Sequence, residues 1–221
     1  MSDFIPELKL FGPMVTTGNI SILTNSASLK TRPRINFVSG AGFSITATDD
    51  ATNYKTDITI GGKAAGYYGS FCDTTTQSAA AANTAYAMTL NTTVEANGVS
   101  IVSGSKITVA YAGTYNLQFS AQVENQNVQI KDIDIWLSKN GTNVTNSNTQ
   151  LSIPENHGGT HGHSVPAWNF VMTLAANDYL QLNWSVTNTD VSLKYDAAQT
   201  SPTRPAIPSL IVTINQIANL A

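Results

Sequence analysis

The sequence predicts an all-β protein, an antiparallel sandwich or barrel of short strands, and three observations predict it. Segments such as 43-FSITAT-48, 105-SKITVAYA-112, 114-TYNLQFSAQV-123, 133-IDIWLSKNG-141, 178-DYLQLNWSV-186, 191-VSLKY-195 and 209-SLIVTINQI-217 alternate apolar and polar residues and are rich in Val, Ile, Thr, Tyr and Trp. That period of two belongs to strands that bury one face. Turn signals separate them: Asn97-Gly98, Ser103-Gly104, Ala112-Gly113, Asn140-Gly141, 176-AND-178 and 188-NTD-190. Helical periodicity is weak. The Ala-rich stretch 79-AAAANTAYAM-88 is interrupted by Asn83 and Thr84 and followed at once by strand signals, so it reads as a loop with at most one turn.

In chain order, residues 1–33 hold Pro6, Pro13 and Pro33 and little sustained alternation. They read as an extended N-terminal docking arm that must bury Phe4, Ile5, Leu8, Leu10 and Phe11 on another surface. Residues 34–62 read as a short β linker of three strands joined by turns at 39-SGAG-42 and 49-DDATN-53 and closed by Gly61-Gly62. So few strands cannot stand alone in water, so this unit is expected to pack against copies of itself or a partner. Residues 63–221 form the main head domain, with enough strands for an eight-stranded double sheet.

Composition excludes several function classes. Only 11% of the 221 residues are charged, against ~25% in ordinary soluble domains. A net charge of −3 and a pI near 5.5 leave no basic patch, so nucleic acid is not an expected partner. No run approaches the ~18 apolar residues needed to span a bilayer, so no membrane partner is expected either. The start, MSDFIPELKL, lacks a basic segment followed by an apolar one and does not read as a signal peptide, so the protein is expected to stay in the cell that makes it. The single cysteine, Cys72, lies in the apolar run 67-YYGSFC-72 and reads as a buried thiol.

Three segments carry a resemblance. The run 113-GTYNLQFSAQV-123 resembles the Gly-x-Tyr-x-x-x-Phe strand of the tumour necrosis factor and complement-head jelly rolls. In the same order, 136-WLSKNG-141 resembles their Leu-x-Lys-Asn-Gly hairpin, and 174-LAANDYLQL-182 their Leu-x-x-x-Asp strand start. Separately, 35-INFVSGAGFSITATDDATNYKTDITI-60 is similar to a segment recurring in bacteriophage virion proteins just before the distal domain, and 153-IPENHGGTHGHSVPAWNFVMTL-174 resembles loops in phage jelly-roll proteins. The resemblance implies an antiparallel jelly-roll sandwich, with an extended N-terminal arm and short β linker before it, and a homotrimer. Its candidate interface residues are Tyr67, Tyr68, Phe71, Tyr115, Phe119 and Trp184, whose other reading is the chain's own core, since aromatics bury large areas in either setting.

The three histidines, His157, His161 and His163, all lie in 157-HGGTHGH-163 between Pro154 and Pro166. The spacing His161-x-His163 suits two zinc ligands on an extended segment, with His157 folding back through Gly158-Gly159. The glycines and the shortage of nearby carboxylates other than Glu155 make a turn or contact loop the preferred reading and a metal site the weaker alternative. The acidic pairs Asp49-Asp50 and Asp132-x-Asp134 read as solvated turn and strand residues, and neither a nucleophile elbow nor a phosphate loop occurs.

Together these readings lead to an expected function. The chain is expected to be a non-enzymatic structural virion protein of a tailed bacteriophage, without cofactors. Its expected role is a trimeric capsid decoration or cement protein that docks on the major capsid protein through its arm and stabilises the shell. It would sit on the capsid surface of a virion assembled in the host cytoplasm. The alternative is a head-fibre or tail-fibre tip that binds a host surface receptor or glycan.

Overall fold

The computed structural model describes residues 66–218 and, before them, residues 23–24, 27–28, 43–52 and 55–62. By compactness the chain divides at Gly62 into two units, Met1–Gly62 and Lys63–Ala221. In the first unit β1 (Phe43–Asp50) and β2 (Lys55–Gly62) pair antiparallel along their whole length around a turn at Ala51-Thr52. Ile58 and Ile60 on β2 are exposed. Leu23–Thr24 pairs with Ala27–Ser28. The third expected linker strand, 34-RINFV-38, and the arm residues Phe4, Ile5, Leu8, Leu10 and Phe11 lie outside the described residues.

The second unit is a jelly-roll sandwich. Its strands are β3 (Tyr68–Asp73), β4 (Thr92–Asn97), β5 (Val99–Val102), β6 (Lys106–Val109), β7 (Gly113–Ala121), β8 (Val123–Asn125) and β9 (Lys131–Lys139), followed by β10 (Thr149–Ile153), β11 (Gly162–Ser164), β12 (Ala167–Leu174), β13 (Tyr179–Val186), β14 (Val191–Leu193) and β15 (Leu210–Ala218). One sheet has the order β12-β7-β15-β3-β4, and the other runs β10-β9-β13-β6-β5. The pairing is nested. β3 pairs with β15, β6 with β13, β7 with β12 and β9 with β10, all antiparallel. A long hairpin folded over itself gives this nesting, which defines a jelly roll.

The core follows from alternation. Along β7, Tyr115, Leu117 and Phe119 turn inward, and along β13 Leu180, Leu182, Trp184 and Val186 do the same from the opposite sheet. Ile133, Ile135 and Leu137 of β9 and Val212 and Ile214 of β15 fill the space between. The segment 79–88 contains no helix; Ala79 is buried and Tyr86–Ala87 pairs with β13.

Two of the three resembling motifs prove to be one tie. Asp178 Oδ1 accepts a hydrogen bond from Asn140 Nδ2 at 2.7 Å, and its Oδ2 lies 2.8 Å from Lys139 Nζ. Asn140 and Tyr179 exchange two further bonds of 3.0 Å. The hairpin 136-WLSKNG-141 and the strand start 174-LAANDYLQL-182 are thus clamped side by side at one end of the second sheet. Burial disfavours the Asp178 carboxylate, but the Lys139 ammonium and the amide donors outweigh it and hold its pKa below the ordinary value.

At the other end the first sheet bends. Gln122 separates β7 from β8 and splits its backbone bonds, with its N–H on Ser209 O and its C=O accepting from Lys194 N–H. Beyond this point β8 lies between β11 and β14, forming a small sheet completed by Gln77–Ser78.

Candidate functional site

The outward face of the first sheet is free of charged side chains on four of its five strands, with Glu95 on the fifth, β4. Alternation turns Thr114, Asn116, Gln118 and Ser120 of β7 outward, and the register sets them beside Thr173, Val171, Asn169 and Ala167 of β12. On the other side, Asn116, Gln118 and Ser120 meet Asn215, Thr213 and Ile211 of β15, which in turn meet Tyr68, Ser70 and Cys72 of β3. None of these residues is charged. Val171 and Ile211 are 56% and 40% exposed, and Ile217 at the end of β15 is 53% exposed. A shallow depression of about 230 Å³ runs between Gln118, Ser120, Ile211 and Thr213. The solvent face of an antiparallel sheet ordinarily carries lysine and glutamate. Here the surface costs little to desolvate, because hydroxyls and amides can pair with a partner and no charge has to leave water.

The six aromatic residues expected at an interface divide in two. Phe71, Tyr115, Phe119 and Trp184 are buried in the core of their own chain, which corrects their assignment as interface residues. They occupy inward positions of strands whose outward neighbours are polar, so they have no surface to offer a partner. Tyr115 also donates its hydroxyl to Tyr111 O at 2.8 Å, and Phe119 packs edge-on against Trp168. Tyr67 and Tyr68 remain half-buried at the border of the uncharged face. Tyr67 stacks on Tyr111 with ring centroids 3.9 Å apart, and Tyr68 donates to Glu95 at 2.9 Å.

The histidine loop resolves into a turn and a salt-bridged end. His157 and Thr160 exchange both backbone bonds, and Gly158 and Gly159 between them have φ of 59° and 85°. Left-handed backbone at both central positions is what a type I′ turn requires, so the glycine pair is conformational. Gly162 has another cause: a Cβ there would lie 1.9 Å from Pro154 O, so only glycine lets β11 pass over that carbonyl. His157 and His163 are exposed, and His163 stands across from Glu124 in the β8–β11 pair. Among the described residues no group of three or more His, Cys, Asp or Glu side chains is arranged to hold a metal.

Glu124 is the partner that local sequence did not supply. Its side chain is 4% exposed, with Oε2 at 3.1 Å from His161 Nδ1 and Oε1 accepting from Gln126 Nε2 at 2.8 Å. Lys194 Nζ lies 3.8 Å from Oε1 and 3.9 Å from Asp196 Oδ1. Burial alone would raise the pKa of this carboxyl, yet the Gln126 and His161 hydrogen bonds and the Lys194 charge more than offset it, so the net shift is downward. The folded chain therefore gains from the ionised form above the unfolded pKa of about 4.3, and that gain is lost as pH falls through the lower folded value. Accordingly, Glu124→Gln is expected to be less stable than the wild type at pH 7 in urea unfolding, with the gap narrowing as the pH falls through the folded value. A gap that stays constant or widens on acidification would contradict this.

The other acidic candidates are structural. Asp132 accepts from Ser152 Oγ at 2.7 Å and Asp134 from Asn148 Nδ2 at 3.0 Å, both along the outward face of β9. Asp49 and Asp50 end β1. Asp73, fully buried, accepts from Thr75 N–H and Thr89 Oγ at 2.8 Å each and so knots the end of β3 to the following loop. Cys72 is a buried free thiol. No protein-family model matches the chain, and no curated protein matches it.

Proposed function

We propose that this chain is a structural virion protein whose jelly-roll head self-associates as a trimer through the uncharged face of the first sheet. The observation that carries the reading is that face, free of charge across β12, β7, β15 and β3 and bearing exposed Val171, Ile211 and Ile217. At ~4.8 Å between strands and ~3.4 Å per residue, a face four strands wide and about seven residues long spans about 450 Å² in projection. One partner of a standard interface contributes about 800 Å², so the adjoining edge with Tyr67, Tyr68 and Tyr111 is needed to complete it. Threefold rather than twofold closure is supported by the resemblance of residues 113–123, 136–141 and 174–182 to trimeric jelly rolls. The arm at residues 1–33, through Phe4, Ile5, Leu8, Leu10 and Phe11, then anchors the trimer on the major capsid protein, as a decoration or cement protein stabilising the shell.

Light scattering of the full chain and of residues 63–221 at micromolar concentration tests this reading, with trimer masses expected for both. Mixing each with undecorated phage heads separates assembly from docking: the full chain is expected to bind and protect the heads from heat, and the arm-deleted trimer to remain free. A monomeric head would overturn the self-association reading. Binding by the arm-deleted trimer would move the anchor to the jelly roll.

A further inference from the structure

The outward face of the second sheet carries a cleft that the self-association reading does not use. Asp134 and Trp136 stand two residues apart on β9, and Ser185 of β13 lies directly across from Asp134. The segment 141-GTNVTNSN-148 forms the opposite wall. Thr142–Asn143 pairs back on Ser138–Lys139, and Asn146 turns the chain with φ of 62°. Buried Ser147 pins the segment to β9: its Oγ accepts from Leu137 N–H at 3.1 Å and donates to Val144 O at 2.8 Å. The space is an open, shallow cleft of about 600 Å³, a volume within the range of small-molecule sites.

The lining mixes one ring with unspent polar groups. Trp136 Nε1 donates to Asn143 Oδ1 at 2.9 Å, which fixes the indole and leaves Asn143 Nδ2 as a donor. Asn148 Nδ2 holds Asp134 Oδ1, which leaves Asp134 Oδ2 and Asn148 Oδ1 as acceptors. The Asn146 amide and Ser185 Oγ make no hydrogen bond within the described residues, and all of these residues line the cleft. Donors and acceptors of both kinds therefore surround a single half-buried indole.

We propose that this cleft binds a neutral pyranose of a surface glycan, with the sugar's C–H face against Trp136 and its hydroxyls bridging Asp134, Asn143, Asn146, Asn148 and Ser185. A pyranose is the common ligand with one apolar face and a rim of groups that both donate and accept. A carboxylate accepting from sugar hydroxyls makes the shorter, stronger class of hydrogen bond. Asp134 is the one charged residue lining the cleft, so it repels sialic acids, uronic acids and phosphates and selects for uncharged sugars. A proline-rich peptide would need parallel aromatic ridges where this cleft has one ring, and a nucleic acid would need cations that it lacks. The pinned wall is preorganised, so little ordering cost accompanies binding.

The test uses the ¹⁵N-labelled full chain titrated with a panel of methyl glycosides of glucose, galactose, mannose, N-acetylglucosamine and rhamnose, with N-acetylneuraminic acid and glucuronic acid as charged members. At least one neutral glycoside is expected to bind at millimolar concentration and to shift the Trp136 indole N–H resonance, while the charged sugars leave it in place. Trp136→Ala is expected to weaken binding about tenfold or more, Trp136→Phe to restore part of it, and Asp134→Asn to weaken the neutral sugar while admitting the charged ones. All three variants are expected to keep the oligomeric mass of the wild type, so loss of binding is read apart from loss of assembly. If no neutral glycoside perturbs Trp136, if a charged sugar binds more tightly, or if Trp136→Ala binds as well as the wild type, the assignment is wrong.

Discussion

Trp184→Ala is expected to destabilise the head by about 3–5 kcal/mol. Trp184 is the largest fully buried side chain, 1% exposed. It points from β13 into the space between the sheets, with Tyr86 tilted against it at a centroid distance of 6.3 Å. The cost of such a truncation depends on how far the surroundings can collapse into the vacated volume. Here they can collapse little, because β13 is held by β9 on one side and by β6 and Tyr86–Ala87 on the other, and two packed sheets keep a spacing of about 10 Å. Against a total stability of about 5–15 kcal/mol for a typical domain, the variant stands near the edge of folding. Trp168→Phe is the informative comparison. Trp168 packs edge-on against Phe119, but its Nε1 is the one buried side-chain polar atom without a hydrogen bond among the described residues. Removing that orphaned donor offsets part of the lost packing, and a change within about 1 kcal/mol is expected. Urea unfolding at one fixed protein concentration measures both, since assembly adds to apparent stability by mass action. Equal costs for the two substitutions would contradict the packing assigned to each.

Thr213→Lys is expected to convert the assembly to monomers without unfolding them. Thr213 is exposed on β15 between Gln118 and Ser70, at the middle of the uncharged face. A lysine there stays solvated in the monomer, where surface changes cost within about ±0.5 kcal/mol. In the assembly, threefold symmetry places three such charges against an apolar and amide surface; Glu95 of β4 lies two strands away, across Ser70, and accepts a hydrogen bond from the Tyr68 hydroxyl. The cost of an unpaired buried charge is several kcal/mol. About 4 kcal/mol already weakens association about a thousandfold. Ser100→Lys on β5, at the edge of the second sheet, supplies the same charge where no contact is proposed and is expected to leave the mass unchanged. Analytical ultracentrifugation with circular dichroism reads mass and fold together. A Thr213→Lys protein that keeps the wild-type mass would remove this face from the interface.

What the sequence determined by itself was local. Alternation in 114–121 and 179–186 states which residues turn inward, and the burial along β7 and β13 follows it residue by residue. The turn signals Ser103-Gly104 and Asn140-Gly141 have left-handed backbone at both positions, and Asn177 and Gly98 have it singly. Those residue types accept that conformation wherever the fold places them. The tertiary structure decided what lies across from what. A period of two assigns a side chain to a face and says nothing of what covers it, so Phe71, Tyr115, Phe119 and Trp184 read equally as interface and as core, and only the packing of the two sheets face to face decides for core. Glu124 reaches His161, and Asp134 comes to stand across from Ser185, only through ladders joining strands far apart in the chain. The uncharged face has the same origin: four strands drawn from residues 68–73, 113–121, 167–174 and 210–218 each contribute a few neutral residues, and only their pairing makes one surface of them.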